Sequence, residues 1–118
     1  MAKYFAPYET ACQCGCGYNP VSPVLLGLLD DIRERVGGPV IISSGCRCPQ
    51  HNADVGGVPN SQHVQGTAAD LLIPDGWSVD SLADLAEELG ADGVGRYYDS
   101  QFVHVDVRSG RNYDTYRW

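Results

Sequence analysis

The chain has no apolar run approaching the ~20 residues that a membrane-crossing helix requires, so no membrane association is expected. Its first ten residues, Met-Ala-Lys-Tyr-Phe-Ala-Pro-Tyr-Glu-Thr, lack the apolar stretch and cleavage site of a secretion signal. Basic residues are scarce, 8 against 15 acidic ones, for a formal net charge of −7. That balance argues against nucleic acid as a partner, because phosphate binding needs a basic surface. It also provides no long-range attraction to an anionic cell wall. No internal repeat and no linker interrupts the 118 residues, which read as a single domain over 1–118. A hydrophobic content of 43% excludes a disordered chain, and the length suffices to bury a core.

What is present in an unusual number is cysteine. Five thiols cannot all pair within one chain. With no export signal, reduced thiols or metal thiolates are the default. Residues 1–20 have poor periodicity and read as an irregular, Cys-rich segment packed on the domain. Cys12, Cys14 and Cys16 alternate, so an extended backbone would set them on one side. Together with Cys48 they could form a four-thiolate structural zinc site. The run is tighter than the usual C-x(2–4)-C spacing, so disulfides and free thiols remain alternatives.

Ser22-Pro23 opens a helix, with serine as N-cap and proline at the first position. Val24, Leu25, Leu28, Leu29, Ile32 and Val36 follow at helical spacing, and Gly37-Gly38 ends the run. Pro39 to Ser44 reads as a short buried strand and Pro49 to Val55 as a short helix. Gly56 to Asn60 reads as a rigid turn-rich loop that would present Ser61 and His63. Thr67 to Ile73 reads as a strand. A second long helix begins at Ser78, with Val79, Leu82, Leu85, Ala86 and Leu89 on one face and Gly90 as its stop. Its Asp80, Asp84, Glu87 and Glu88 read as a solvated side. Two strands follow, Val94 to Tyr98 and Phe102 to Val107. Alternation in the second places Phe102, His104 and Asp106 opposite a valine face, which turns His104 away from the core. Tyr113, Tyr116 and Trp118 form an aromatic tail expected to pack back on the domain.

The stretch Ser61-Gln-His-Val-Gln-Gly-Thr-Ala-Ala-Asp70 carries the chemistry. His63 and Asp70 sit among small and turn-forming residues, Gly66 lets the chain bend between them, and the following strand holds Asp70 on a fixed wall. A lone histidine beside a strand is ordinarily a hydrogen-bonded core or surface residue. A second imidazole, His104, changes the picture. Two imidazoles and one carboxylate suit zinc, and three protein ligands leave a position open, as in catalytic sites. His51, on the short helix, is read as structural.

The pattern Ser61-x-His63-x-x-Gly66-x-Ala68-x-Asp70, followed by His104, resembles the zinc D-Ala-D-Ala peptidases. Those share a superfamily with lysostaphin-type peptidases and the hedgehog signalling domain. Ser44 to Asn52, Val55 to Asn60 and Cys12 to Gly17 are similar to segments of the small single-domain branch, so the likeness runs along nearly the whole chain in order. It implies an α+β domain with a small, mainly antiparallel sheet, helices on one face and the metal on the other. It implies zinc bound by His63, Asp70 and His104, and a substrate contact by Arg47, whose planar fork suits a carboxylate or polarised carbonyl. Ser61 would orient the ligand loop or touch substrate. Relatives usually carry an aromatic residue where Cys46 stands, so a smaller wall is expected there. Many also carry an acidic residue where Gln101 stands, and Gln101 cannot take a proton. Asp99 and Asp106 are the remaining shuttle candidates, Asp106 doubling as a support for His104. The implied activity is hydrolysis of peptide bonds in the peptidoglycan stem or cross-bridge by a monomer, as a D-Ala-D-Ala carboxypeptidase or a murein endopeptidase. A short version without an export signal resembles phage lysis or virion-associated enzymes, made in the cytoplasm and acting on the wall after release. A non-catalytic zinc module that binds wall peptides, or keeps zinc for stability, is the alternative.

Overall fold

The computed structural model describes residues 4–57, 61–107 and 116–117. In chain order the elements are α1 (Pro7–Thr10), α2 (Pro23–Val36), β1 (Ile42–Ser44), α3 (Pro49–Asp54), α4 (Gln62–Gln65), β2 (Ala68–Leu72), α5 (Val79–Glu88), β3 (Gly93–Tyr97), β4 (Phe102–Asp106) and β5 (Tyr116–Arg117). Among the described residues no helix is long and apolar enough to cross a membrane.

Both long helices start on serine caps. The Ser22 hydroxyl accepts from the backbone N–H of Val24 at 3.1 Å, and Pro23 occupies the first helical position. Ser78 and Ser81 exchange side-chain-to-backbone hydrogen bonds of 2.8 and 3.0 Å, a capping box with serine in the place of the usual Glu or Gln. Leu25, Leu28, Leu29 and Ile32 of α2 and Val79, Leu82, Ala83, Leu85 and Ala86 of α5 are buried. Val24, expected on the apolar face, is 68% exposed, because it lies about 100° around the helix from Leu25 and off the stripe.

The strands form one sheet in the order β1-β2-β4-β3-β5, antiparallel throughout except for the β3·β5 pair. This is the α+β architecture with a mainly antiparallel sheet that the sequence leads one to expect. Side chains alternate along each strand. Ala69 and Leu71 of β2, Val103 and Val105 of β4 and Val94 of β3 join α2 and α5 in one hydrophobic core. The other face carries Ala68, Asp70 and Leu72 of β2 opposite Asp106, His104 and Phe102 of β4.

Several expectations change. Strand β1 covers Ile42–Ser44 and not the six residues from Pro39, and its pairing with β2 shifts register between Ile42 and Ser44. Residues 7–10, expected to be irregular, form a helical turn whose Glu9 carboxylate accepts from the Ala6 N–H at 2.7 Å. The acidic side of α5 is not simply solvated. Arg96 of β3 reaches Asp80 and Asp84 at 2.8 Å and Glu87 at 3.0 Å, and Arg35 of α2 pairs with Glu88. The Arg96 pairs tie α5 to β3, and the Arg35 pair ties α2 to α5. Residues 58–60 of the loop, and the packing of Tyr113, Tyr116 and Trp118, lie outside the described side chains.

Leu29 is 0% exposed within the core, so Leu29→Ala should destabilise the chain by about 2–5 kcal/mol, read from denaturant unfolding. Val24→Ala on the same helix should stay within about 0.5 kcal/mol of the parent.

Candidate metal centre

Asp70 and His104 face each other directly across the β2·β4 pair. His63 comes from the short helix α4, whose Ser61 cap accepts from the His63 N–H at 3.0 Å and whose chain turns out through Gly66 at φ 79°. The sequence reading placed His63 in a loop; a capped helical turn holds it instead. One nitrogen, one oxygen and one nitrogen from these three residues lie within 4.8 Å of one another. The two imidazole rings stand edge to face, with centroids 5.2 Å apart.

The outer nitrogens are engaged. His63 Nδ1 lies 2.8 Å from the Gly45 carbonyl oxygen, which can only accept, so Nδ1 carries the proton and Nε2 offers its lone pair inward. His104 Nε2 lies 2.8 Å from Asp106 Oδ2, so the same logic turns His104 Nδ1 inward. The inward atoms sit 3.3 Å and 3.1 Å from Asp70 Oδ1. A tetrahedral zinc with bonds of ~2.0–2.1 Å places its ligand atoms about 3.3 Å apart, so these two separations suit that ion. Burial opposes the charge on Asp70, but the two imidazoles that face it, His104 and His63, favour the carboxylate whenever they are protonated, and without a metal they bring its pKa down to about 2. Burial likewise opposes a charged His104, and the Asp106 and Asp70 carboxylates overcome it and raise its pKa.

Arg47 stands at the edge of this group, with Nη2 3.6 Å from Asp70 Oδ2. Its fork is held by the Ser44 hydroxyl and the Asn52 amide oxygen, each at 3.3 Å. Its backbone N–H donates to the His63 carbonyl at 3.0 Å, which ties the arginine to the histidine helix. Ser61 is buried, with its hydroxyl turned onto the His63 backbone.

Residues 3–106 match the family Peptidase M15. The chain belongs to that family. A comparison with curated proteins finds no match. Membership in M15, the zinc D-Ala-D-Ala peptidase family, supports zinc-dependent peptidase activity for this chain, and His63, Asp70 and His104 form a group that can hold the ion.

Within this M15 fold the two shuttle candidates separate. Asp106 is 0% exposed and hydrogen-bonded to His104, so a role in carrying protons to a substrate does not fit its position. It fits the other expectation, support of the imidazole. Asp99 is exposed in the turn between β3 and β4, at the Phe102 end of the strand. Gln101, at φ 55°, donates its side-chain amide to the Tyr98 carbonyl at 2.7 Å and thereby closes that turn. Cys46 is buried, with its thiol 3.3 Å from Asn19 Oδ1. His51 stays outside the histidine group, while Cys12, Cys14, Cys16 and Cys48 come together in a second one.

Three residues escaped the sequence reading. Asn52 holds Arg47, and Gly45 supplies the carbonyl for His63. Gly93 lies opposite Asp106, where a Cβ would run into the Asp106 carboxylate. Only strand register reveals the last, since a glycine in a strand signals a close approach without naming what approaches. Asp106→Asn should weaken zinc at the histidine set by about 10–100-fold, measured by competition with a chromophoric chelator. Gly93→Ala should weaken it in the same direction by displacing that carboxylate.

Proposed function

We propose that the chain is a zinc peptidase that hydrolyses peptide bonds of bacterial peptidoglycan, in the stem or cross-bridge, as a D-Ala-D-Ala carboxypeptidase or murein endopeptidase. The observation that carries this reading is the guanidinium of Arg47 beside a three-donor metal set whose outer nitrogens are already held. Zinc in such a set supplies a Lewis acid and makes water nucleophilic near neutral pH. Arg47, oriented by Ser44 and Asn52, stabilises negative charge on the scissile carbonyl or receives a substrate carboxylate. Gly45 and Asp106 keep the imidazoles in the tautomers that point inward. Beyond His104 on the same sheet face, Leu72, Phe102 and Tyr97 stand side by side across three strands, with Tyr97 stacked on Phe102 at 4.3 Å. That shelf supports the apolar parts of a bound peptide. Asp99, exposed at the end of the shelf, is the carboxylate available to move a proton. The protein acts as a monomer on the wall peptide, after release from the cell that makes it.

A second reading, a zinc module that binds wall peptides without cutting, rests on Gln101, whose amide is committed to the turn where many relatives carry an acid. Clearing of a purified murein suspension separates the two. The wild type should clear it, chelator should stop it, and zinc should restore it. His63→Ala should be inactive. Arg47→Ala should lose on the order of 100-fold in turnover with zinc content unchanged. Asp99→Asn should lose about 100-fold or more if Asp99 moves the proton. Zinc-replete wild type that binds murein but leaves it intact would establish the second reading.

A further inference from the structure

The second group of potential ligands lies away from the histidines. Cys12, Cys14, Cys16 and Cys48 place their sulfurs within 4.8 Å of one another. Three of the separations are 3.4 Å between Cys12 and Cys14, 3.7 Å between Cys14 and Cys48, and 3.8 Å between Cys12 and Cys48. A disulfide needs ~2.05 Å. Tetrahedral zinc with four Zn–S bonds of ~2.3 Å places its sulfurs about 3.8 Å apart. The Cys12, Cys14 and Cys48 spacings are therefore close to one face of a metal-thiolate tetrahedron, and Cys16 lies within reach of the fourth corner.

The backbone is shaped for this convergence. The run is irregular, as expected, and not the extended backbone that would set the three cysteines on one side. Gly15 at φ 84° and Gly17 at φ 86° turn the chain twice, and hydrogen bonds from Gly15 N–H to the Cys12 carbonyl and from Cys12 N–H to the Tyr18 carbonyl close the turns. The tight C-x-C-x-C spacing thus wraps around a point. Two backbone N–H groups, of Cys48 and His51, point at the sulfurs of Cys12 and Cys48 at 3.4 Å, as suits thiolate acceptors. The fifth cysteine is set apart. The Cys46 thiol is buried and faces Asn19 Oδ1 at 3.3 Å rather than the cluster. Five thiols divide into four that converge and one that lies apart from them.

We propose that Cys12, Cys14, Cys16 and Cys48 bind a second zinc ion as a four-thiolate structural centre, which clasps the N-terminal segment to the loop that carries Arg47. Cys48 is the residue after Arg47. Cys46, the residue before it, donates its N–H to the Thr10 carbonyl at 2.7 Å, and Gly45 is packed so closely on Thr10 that a Cβ would lie 2.6 Å from that same oxygen. The ion would complete this seam at its open end, and it takes no part in hydrolysis. The proposal is independent of the peptidase reading, and its test needs no substrate.

Elemental analysis of the full chain, purified under reducing conditions, should find two zinc ions in the wild type. One should remain in His63→Ala and one in the Cys14→Ser/Cys16→Ser chain, whose substitutions fall on exposed residues. Cobalt-loaded His63→Ala should show intense sulfur-to-cobalt charge transfer in the near ultraviolet. A mercurial reagent added to wild type should release one of the two ions, which covers the case of a serine variant that does not fold. Loss of the thiolate ion should speed hydrogen exchange at the Cys46 and Cys48 amides by roughly tenfold or more while Val103 and Val105 stay protected. A metal-free His63→Ala chain, a disulfide among the four cysteines in mass analysis of the reduced-purified protein, or unchanged exchange at Cys46 and Cys48 after release of the ion would each overturn the proposal.

Discussion

In an antiparallel pair, residues directly opposite each other project from the same face, and the neighbours on either side project from the other. The β2·β4 register sets Asp70 against His104, and Ala69 and Leu71 against Val105 and Val103. One register therefore fixes both the core and the metal face. A slip by a single residue would drive Asp70 and His104 into the helix layer and expose the valines. Burial of Leu71, Val103 and Val105 against α2 and α5 holds the register, so the hydrophobic effect on one side of the sheet positions the ligands on the other.

A buried polar cluster is costly unless each member is satisfied. Here each imidazole has a partner on its outer nitrogen, and Asp106 sits fully enclosed behind His104 because the strand opposite offers a glycine. Negative charge from Asp70 and Asp106 and two inward lone pairs are thereby gathered at one point. Arg47 offsets part of that charge from the rim while keeping its fork available beside the set. The arginine is held from several directions, by Ser44, Asn52 and the His63 carbonyl.

Those directions converge on the segment between β1 and α3. Gly45 touches His63 through its carbonyl, Cys46 meets Thr10, Arg47 meets Asp70, and Cys48 joins the sulfur cluster. Tyr18 adds a hydrogen bond from its hydroxyl to the Val64 carbonyl of the histidine helix, 2.7 Å long. The N-terminal residues form no large share of the core. They act as a brace along the side of the site, linking the arginine loop and α4.

The helix caps at Ser22 and Ser78, the apolar stripes behind them and the alternation around His104 were legible in the chain, because each follows from local periodicity or a local hydrogen bond, while the α+β class came with the family resemblance. So was the set of candidate residues: the Ser61–Asp70 pattern with His104 names them without naming their distances. The short helices α1 and α4 were not legible, since four-residue turns carry no periodicity and depend on contacts made elsewhere. Neither was the choice between two roles for Asp106, which turned on its burial and on Gly93 across the sheet. The sequence names Cys12, Cys14, Cys16 and Cys48 as a possible thiolate set, but disulfides and free thiols stay open there, and the turns that gather the four sulfurs are visible only in the fold. Composition and spacing determine which groups can do chemistry. Which lone pair faces inward, which carboxylate is enclosed and which four of five sulfurs meet are decided only when distant segments pack, because those facts belong to pairs of residues that no local interaction brings together.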